Sequence, residues 1–295
     1  GAGEWEVHST ELLLSTRYDP AEHGGDTHGR GPSVALVTMC DASATEPSIV
    51  SMCADSVRNK VVYAAMHGYT LYVLNGTAVA SRPSAWSKIL ALDTLLPSYD
   101  WVVWLDLDTV ILDMGTSLTP FLAVAEPHEV QVLASDHNDI NTGVWAIRGR
   151  SEASRWLLRE MHVVGESLQG TSFLFHYEQR AMHLMQQTRV WRDAGGPRYD
   201  PEATAVARAL TVVLPGCLVN ARQEAPDGAK TFLVHLAGMK GKAREKEFTR
   251  LMAVADERAA TEEERVGSRG EQGREERSRY TPAARGEAGG ALPFP

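Results

Sequence analysis

Short apolar runs alternate with helical segments in the first half of the chain. Runs rich in β-branched residues indicate buried strands, and they occupy residues 33–40, 69–75 and 101–112. Between them, apolar residues recur three and four positions apart, which predicts helices over residues 48–68 and 84–96. Because the strands are apolar throughout, this alternation predicts a parallel sheet with helices on both faces. In such sheets, ligands bind beyond the carboxyl ends of the strands.

The second half of the chain continues this alternation less regularly. Further strands are predicted over residues 129–136, 141–149, 210–220 and 231–238, and helices over residues 151–165 and 177–188. Residues 1–31 are polar and rich in glycine, which predicts a lead-in or stem linker. Residues 257–295 are charged and nearly free of large apolar side chains, which predicts a disordered tail. Residues 32–256 remain as one folded domain.

Two aspartates interrupt an apolar run in the stretch YDWVVWLDLDTVILD, Tyr99 to Asp113. Residues two apart on a strand point the same way, so we expect the carboxylates of Asp106 and Asp108 to share one side. Two adjacent buried carboxylates repel each other and are costly to desolvate, unless a hard divalent cation binds both. Exposed or salt-bridged aspartates at a strand end are the alternative, and this stretch alone leaves both interpretations open.

Composition narrows the function classes. The chain has 295 residues and a formal net charge of −9, which argues against a general nucleic-acid binder. No run approaches the ~20 apolar residues of a membrane span. The three cysteines, Cys40, Cys53 and Cys217, are too few for a disulfide scaffold and fit no zinc motif. Cys40 and Cys53 either form a disulfide in an oxidising compartment or remain thiols, and the sequence leaves both open.

Six motifs follow one another along residues 33–250, and the stretch with Asp106 and Asp108 is one of them. The other motif positions are Asn59, Lys60, Tyr63, His67 and Gly68 in NKVVYAAMHGYTLYV, Trp86 and Lys88 in RPSAWSKILAL, Asp136, Asn141, Thr142 and Gly143 in SDHNDINTGVWAIRG, Glu178 and Gln179 in YEQRAM, and His235, Gly238 and Lys240 in VHLAGMK. In this order they resemble glycosyltransferase family 34. That family includes fungal α-galactosyl- and α-mannosyltransferases and plant xyloglucan α-xylosyltransferases.

The chain departs from the family pattern at a few positions. Leu236 and Met239 replace the usual Phe and Cys, and Glu178 stands where the plant members carry Asp. The segment between Gln179 and His235 also matches poorly. These departures leave the acceptor open, whereas the motifs on the donor side are present.

The resemblance implies a GT-A fold, which is an α/β, Rossmann-like fold with a mostly parallel central sheet and helices on both faces. It also implies a nucleotide-sugar donor and a divalent metal, Mn²⁺ or Mg²⁺, held by Asp106, Asp108 and His235. UDP-galactose, UDP-xylose and GDP-mannose are the donors of the family, and we expect a UDP-hexose here.

Further site residues follow from the same resemblance. The donor-binding positions, besides the two aspartates, are Lys88, Asn141, Thr142, Gly143, Gly238 and Lys240. The catalytic positions are Asp136, Glu178, Gln179 and Lys240, where Lys240 adds positive charge for the phosphates. Family members retain the anomeric configuration. Double displacement needs a carboxylate or amide behind the sugar, whereas front-face attack needs none, and front-face attack is our hypothesis.

The resemblance therefore predicts a metal-dependent retaining glycosyltransferase that acts on a glycan or glycoconjugate acceptor. It places the protein in the Golgi lumen, as a type II membrane protein with an anchor before Gly1. A catalytically degenerate scaffold or partner subunit is the alternative, and the retained Asp106, Asp108, His235 and Lys240 argue against it. A metal-dependent phosphoester hydrolase would want a larger set of His and Asp ligands. No nucleic-acid partner is expected, and homo- or hetero-oligomerisation stays open.

Overall fold

The computed structural model describes residues 14–18, 31–40, 47–76, 83–168, 177–225 and 230–279. A seven-stranded sheet lies at its centre, with the order β1-β3-β2-β4-β7-β6-β8. These strands are β1 Leu14–Tyr18, β2 Val34–Met39, β3 Thr70–Leu74, β4 Trp101–Leu105, β6 Gln131–Ala134, β7 Asn141–Arg148 and β8 Thr211–Leu214. The remaining two, β5 Thr109–Ile111 and β9 Leu233–His235, form a separate antiparallel pair.

The strand directions agree with the predicted, mostly parallel sheet. β2 pairs in parallel with β3 and with β4, and β6 pairs in parallel with β8. β7 lies between β4 and β6 and runs antiparallel to both, while β1 runs antiparallel to β3 at the edge. Five strands therefore run in one direction and two run against them.

Helices cover both faces of the sheet, as the alternating pattern predicts. The helices are α1 Pro47–His67, α2 Ser87–Leu95, α3 Thr119–Leu122, α4 Glu152–Ser167, α5 Tyr177–Gln186, α6 Arg189–Asp193, α7 Pro201–Ala209, α8 Gly216–Val219 and α9 Gly241–Arg279. Alternate residues of β4 enter the two layers of the core. Val103 packs in one cluster with Tyr63 of α1 and Phe248 of α9, and Trp104 packs in the other with Leu157 of α4.

One predicted strand is wrong. A single strand over residues 101–112 is expected, but β4 ends at Leu105 and β5 begins at Thr109 as part of another sheet. The backbone N–H of Thr109 donates to the carbonyl oxygen of Asp106 at 3.1 Å and closes a turn between them. Aspartate favours turns because its side chain competes for local backbone groups. The two aspartates therefore lie on a turn rather than on one strand.

Other differences concern elements with weak sequence signals. The strand predicted over residues 210–220 is replaced after Leu214 by α8, and α6 and α7 fall where no element is predicted. The lead-in over residues 1–31 contributes the edge strand β1, and its other residues before 31 lie outside the described part of the chain. Helix α9 continues into the segment 257–295, whose boundary stays a prediction; residues 280–295 are not described.

A disulfide joins Cys40, at the end of β2, to Cys53 in α1. Of the two alternatives that the sequence leaves open, the structure has the bond. Cys217 is a free, exposed cysteine. Among the described residues, no helix is long and apolar enough to cross a membrane.

One edge of the sheet gathers the motif residues. β4 and β6 end there, so that Asp106 follows β4 directly and Asp136 lies two residues after β6, while the antiparallel β7 begins there at Asn141. The pairing of Thr109 with His235 brings β9 to the same place. The motifs that are far apart in sequence therefore meet beyond the carboxyl ends of the parallel strands, where ligands of such sheets bind.

Candidate functional site

Asp106, Asp108 and His235 form a cluster that has the composition and size of a metal site. Each offers one ligand atom, and these atoms all lie within 4.8 Å of one another. Nε2 of His235 lies 3.3 Å from Oδ1 of Asp108 and 3.7 Å from Oδ2 of Asp106. Two carboxylates and one imidazole suit a divalent cation such as Mn²⁺ or Mg²⁺. The residues present therefore fit the metal that the resemblance implies.

Asn220 sets the orientation of the His235 ring. Nδ1 of His235 lies 2.8 Å from the side-chain oxygen of Asn220. Because an amide oxygen only accepts hydrogen bonds, Nδ1 carries the proton and Nε2 is directed at the two carboxylates. Such outer partners fix the tautomer of a metal-binding histidine.

The pKa shifts show that this cluster favours positive charge. Burial lowers the pKa of His235, but the facing carboxylates of Asp108 and Asp106 outweigh burial and leave the pKa above its ordinary value. Burial favours the neutral acid of Asp108, yet His235 and Arg244 hold its pKa below its ordinary value. An opposite charge in the cluster therefore stabilises the ionised carboxylate.

Because Gly143 has no side chain, His235 and Asp106 can occupy the space beside its Cα atom. A Cβ atom at this position would lie 2.1 Å from Cε1 of His235 and 2.8 Å from Oδ2 of Asp106. The carbonyl oxygen of Gly143 also accepts a 2.8 Å hydrogen bond from the backbone N–H of Asp106. A side chain at this position would displace the ligands, so the glycine of the NTG segment is required by close packing.

A polar stripe on α1 holds the turn that carries the aspartates. Oγ of Ser56 donates to the carbonyl oxygen of Leu107 at 2.6 Å, and Nζ of Lys60 donates to that of Thr109 at 3.1 Å. Asn59 bonds both backbone groups of Ile111, at 2.9 Å and 3.0 Å. The carbonyl oxygens of three alternate residues, Leu107, Thr109 and Ile111, are thereby held by one helix.

The charge of Lys60 is also affected by its position beneath the turn. Burial lowers its pKa to about 7, against the attraction of Asp108 and Asp106. Farther along the same helix face, Tyr63 donates to the carbonyl oxygen of Thr116, and His67 lies 2.8 Å from that of Met114. The motif residues of α1 therefore anchor the backbone after β4.

The predicted sugar-pocket residues form a second network beside the cluster. Nδ2 of Asn141 donates to Oδ2 of Asp136 at 3.0 Å, and the amide oxygen of Asn141 accepts from the N–H of Gly143 at 2.7 Å. The backbone N–H of Asn138 donates to Oδ1 of Asp136 at 2.6 Å. Asp136 and Asn141 are thus linked to each other and, through Gly143, to the metal-type cluster, which is the cluster of Asp106, Asp108 and His235.

Lys88 joins this network to α5. Its Nζ lies 2.7 Å from Oε1 of Glu178 and 3.2 Å from Oδ1 of Asp106. Thr142 places its hydroxyl 3.1 Å from Oε1 of Glu178 and 3.4 Å from Oε1 of Gln179. The structure therefore brings the positions from four motifs together around the end of β4.

Gly238 and Lys240 lie in the turn between β9 and α9. Gly238 has a φ of 80°, a left-handed conformation that favours glycine, and the side chain of Lys240 is exposed. Their roles toward a donor stay predictions.

A cleft of about 460 Å³ adjoins the cluster on the side of β6 and α8. Asn220, which holds His235, and Asp136 both line it. The other lining residues are Ser135, Gly216, Cys217, Ala221, Arg222, Gln223, Glu224, Ala225, Lys230 and Thr231. A polar cleft of this size beside the cluster has room for a sugar ring.

Sequence reasoning missed four side chains of the site: Asn220, Ser56, Arg244 and Trp104, whose Nε1 donates to Oδ1 of Asp106. Asn220 lies in the segment that matches the family poorly, and nothing in the local pattern distinguishes it. Ser56 lies four residues before Lys60 on α1, so the helical period from a motif residue is the signal that would have found it. Arg244, whose Nη1 lies 3.9 Å from Oδ2 of Asp108, had no such signal.

The part of the chain that carries the aspartates matches the model of a known protein family. The model of the galactosyl transferase GMA12/MNN10 family matches residues 30–126, which include the α1 motif, Lys88 and both aspartates. The resemblance to glycosyltransferase family 34 is therefore confirmed over this segment. No curated protein matches the sequence significantly.

The fold is similar to that of a solved glycosyltransferase. One similar structure is a glycosyltransferase involved in the glycosylation of the major capsid of PBCV-1. It has a TM-score of 0.52 at 16% identity, and the match covers 74% of this chain and 100% of that one. Another is the glycosyltransferase GlyE of Streptococcus pneumoniae TIGR4, with a TM-score of 0.46 at 10% identity, covering 76% of this chain and 63% of that one. The chain thus has the GT-A glycosyltransferase fold and carries, in residues 30–126, the sequence pattern of the GMA12/MNN10 galactosyl transferase family.

Proposed function

We propose that the protein is a metal-dependent retaining glycosyltransferase that moves a hexose or xylose from a nucleotide sugar to a glycan acceptor. The observation that carries the proposal is the cluster of Asp106, Asp108 and His235, whose ligand atoms lie within 4.8 Å of one another at the ligand-binding edge of the sheet. Mn²⁺ or Mg²⁺ bound there supplies Lewis-acid stabilisation of a leaving nucleoside diphosphate.

The chain's own residues bind and orient the donor in this proposal. Asp106, Asp108 and His235 hold the cation, and the exposed ammonium of Lys240 adds positive charge for the phosphates. Asp136, Asn141 and Gln179 accept and donate hydrogen bonds to the sugar hydroxyls. A site built from such polar groups rejects sugars that lack the matching hydroxyls, because its own groups are then left unpaired.

Front-face attack is the route that we propose for retention. The acceptor hydroxyl approaches from the side of the leaving phosphate, which takes its proton, so that no residue forms a covalent bond with the sugar. The cleft lined by Asp136 and Asn220 supports this route, because its volume of about 460 Å³ has room for an acceptor ring. A glycosyl adduct trapped on Asp136 or Glu178 would overturn it.

The experiment that tests the function measures nucleotide released from UDP-galactose, UDP-xylose and GDP-mannose in Mn²⁺, with and without a chelator and an acceptor panel. We expect turnover with a UDP-hexose that the chelator abolishes. Asp108→Ala should lower turnover at least ~10²-fold, because transition-state charge loses a stabilising partner. Asp193→Ala, an exposed aspartate of α6, is the matched control. No metal-dependent turnover or binding with any donor would instead favour a scaffold role.

We also propose that the protein works in the Golgi lumen. The disulfide between Cys40 and Cys53 supports an oxidising compartment, because such bonds are rare where thiols are kept reduced. Imaging of the tagged protein against Golgi markers tests this, and a cytosolic signal would contradict it.

A further inference from the structure

All three N–H groups of the Lys88 ammonium are used within the protein. The side chain is only 3% exposed, and its Nζ lies 2.7 Å from Oε1 of Glu178 and 2.9 Å from the carbonyl oxygen of Thr142. The third acceptor, Oδ1 of Asp106, lies 3.2 Å away. An ammonium group has three donors and no acceptor, so none is left for the diphosphate of a nucleotide sugar.

Lys88 and Trp104 together orient the carboxylate of Asp106. Nε1 of Trp104 donates to Oδ1 of Asp106 at 2.6 Å, and the Trp104 ring lies 5.2 Å from Nζ of Lys88. Both donors therefore reach the same oxygen. Oδ2 of Asp106 is thereby left facing Nε2 of His235, at the place where a cation would bind.

Glu178 is the buried counter-charge of this lysine. It is 4% exposed, and its Oε1 accepts from Nζ of Lys88 and from the hydroxyl of Thr142. One oxygen of this carboxylate is therefore occupied by Lys88 and Thr142. Its neighbour Gln179 is half-buried and also contacts Thr142, so the two residues of the motif differ in their access to the site.

We propose that Lys88 and Glu178 are positioning residues: Glu178 fixes Lys88, and Lys88 together with Trp104 turns Asp106 toward the cation. This role differs from donor binding by Lys88 and catalysis by Glu178, which the family resemblance implies. The proposal rests on the metal-dependent function proposed above. It leaves Asp136, Asn141 and Gln179 as the side chains that contact the donor sugar.

A double-mutant cycle tests this pair by a measurement that needs no turnover. The variants are Lys88→Met, Glu178→Gln and the two combined, and the readout is free Mn²⁺ by electron paramagnetic resonance without donor. Lys88→Met should weaken Mn²⁺ binding by roughly tenfold or more, as is typical for partners that orient a metal ligand. The combined variant should bind more tightly than Lys88→Met, because Glu178→Gln removes the unpaired buried charge. Lys242→Met, an exposed lysine of α9, is the control and should bind as the wild type does.

Measurements of kcat and KM then distinguish a positioning role from catalysis or donor binding. Glu178→Gln should change kcat much less than the roughly 10²–10⁴-fold that loss of a general acid or base costs. Unchanged Mn²⁺ affinity in Lys88→Met with a raised KM for the donor would overturn the proposal, since it would identify a phosphate contact. Loss of kcat in Glu178→Gln at wild-type Mn²⁺ affinity would also overturn it. Absence of Mn²⁺ binding by the wild type would count against the proposed function itself, and so is distinguishable from both outcomes.

Discussion

His235 is held by Asn220 through a 2.8 Å hydrogen bond that leaves Nε2 facing Asp106 and Asp108. Asn220 follows α8. Its backbone N–H donates to the carbonyl oxygen of Gly216, which fixes the backbone that carries its side-chain amide. The metal-type cluster therefore depends on a residue from a different part of the chain than any of its three members.

Asn220→Ala should weaken Mn²⁺ binding by about 10–100-fold, since the outer partner of a metal-binding histidine fixes its tautomer and orientation. Calorimetric titration with Mn²⁺ measures this directly. Asn220→Asp keeps an acceptor in place and should retain binding. Gln223→Ala, an exposed amide three residues on, is the control. Wild-type affinity in Asn220→Ala would show that the hydrogen bond does not orient His235.

Gly143→Ala should disrupt the cluster without altering any of its ligands. The added Cβ would lie 2.1 Å from Cε1 of His235 and 2.8 Å from Oδ2 of Asp106, so one of them must move. We expect loss of Mn²⁺ binding and of metal-dependent turnover in a protein whose circular dichroism is unchanged. Gly31→Ala serves as the control, because a Cβ there meets no atom within 4 Å. Full Mn²⁺ affinity in Gly143→Ala would mean that the cluster is looser than the structure shows.

Asn59→Ala should lower the free energy of unfolding by roughly 2–4 kcal/mol. The amide of Asn59 satisfies both backbone groups of Ile111, and each buried group left without a partner costs about 1–3 kcal/mol. Urea unfolding measures the loss, and Mn²⁺ affinity should fall with it because β5 follows the aspartate turn. Val50→Ala, on the exposed side of α1, should change stability little. Equal stability of Asn59→Ala and the wild type would contradict the anchoring role.

The sequence predicts four early elements well because their signals are local. Apolar β-branched runs and helical periodicity lie within each of β2, α1, β3 and α2. The break after Leu105 has no such signal. It exists because Thr109 pairs with His235, far along the chain, and this long-range pairing decides where β4 ends.

The site shows the same division. Asp106 and Asp108 stand out in a single stretch, but His235 is found only through the family motif, since its neighbours come from the β5–β9 pairing. Asn220 is not found at all, because a lone asparagine in a segment without a pattern carries no information about what it contacts. The sequence therefore indicates the residue types of the chemistry, whereas tertiary contacts determine which residues orient them.

The disulfide between Cys40 and Cys53 should contribute about 3 kcal/mol to stability. The two cysteines are 13 residues apart, and closing a loop of about this length restricts the unfolded chain by about that amount. Cys40→Ser with Cys53→Ser should lower the midpoint of urea unfolding accordingly, and a reductant should have no further effect on the double variant. Cys217→Ser, at the exposed free cysteine, is the control. If a reductant does not change the urea midpoint of the wild-type protein, the prediction is contradicted.

His183 should make the protein less stable as the pH falls. Burial lowers its pKa to about 4, against the attraction of Asp136 and Asp139, while the unfolded chain has the ordinary value of 6.5. Below the ordinary pKa the unfolded state binds the proton more readily, so stability is full above it and is lost as the pH falls toward the folded value.

We therefore expect the free energy of unfolding to fall by up to ~1.4 kcal/mol per pH unit from this residue, between about pH 6.5 and about pH 4. His183→Asn cannot titrate, so its stability profile should be flatter, whatever constant offset the lost packing brings. Urea unfolding of both proteins across this range measures the difference in slope. His128→Asn, at an exposed histidine, is the control substitution. Parallel profiles for His183→Asn and the wild type would show that His183 titrates alike in the folded and unfolded states.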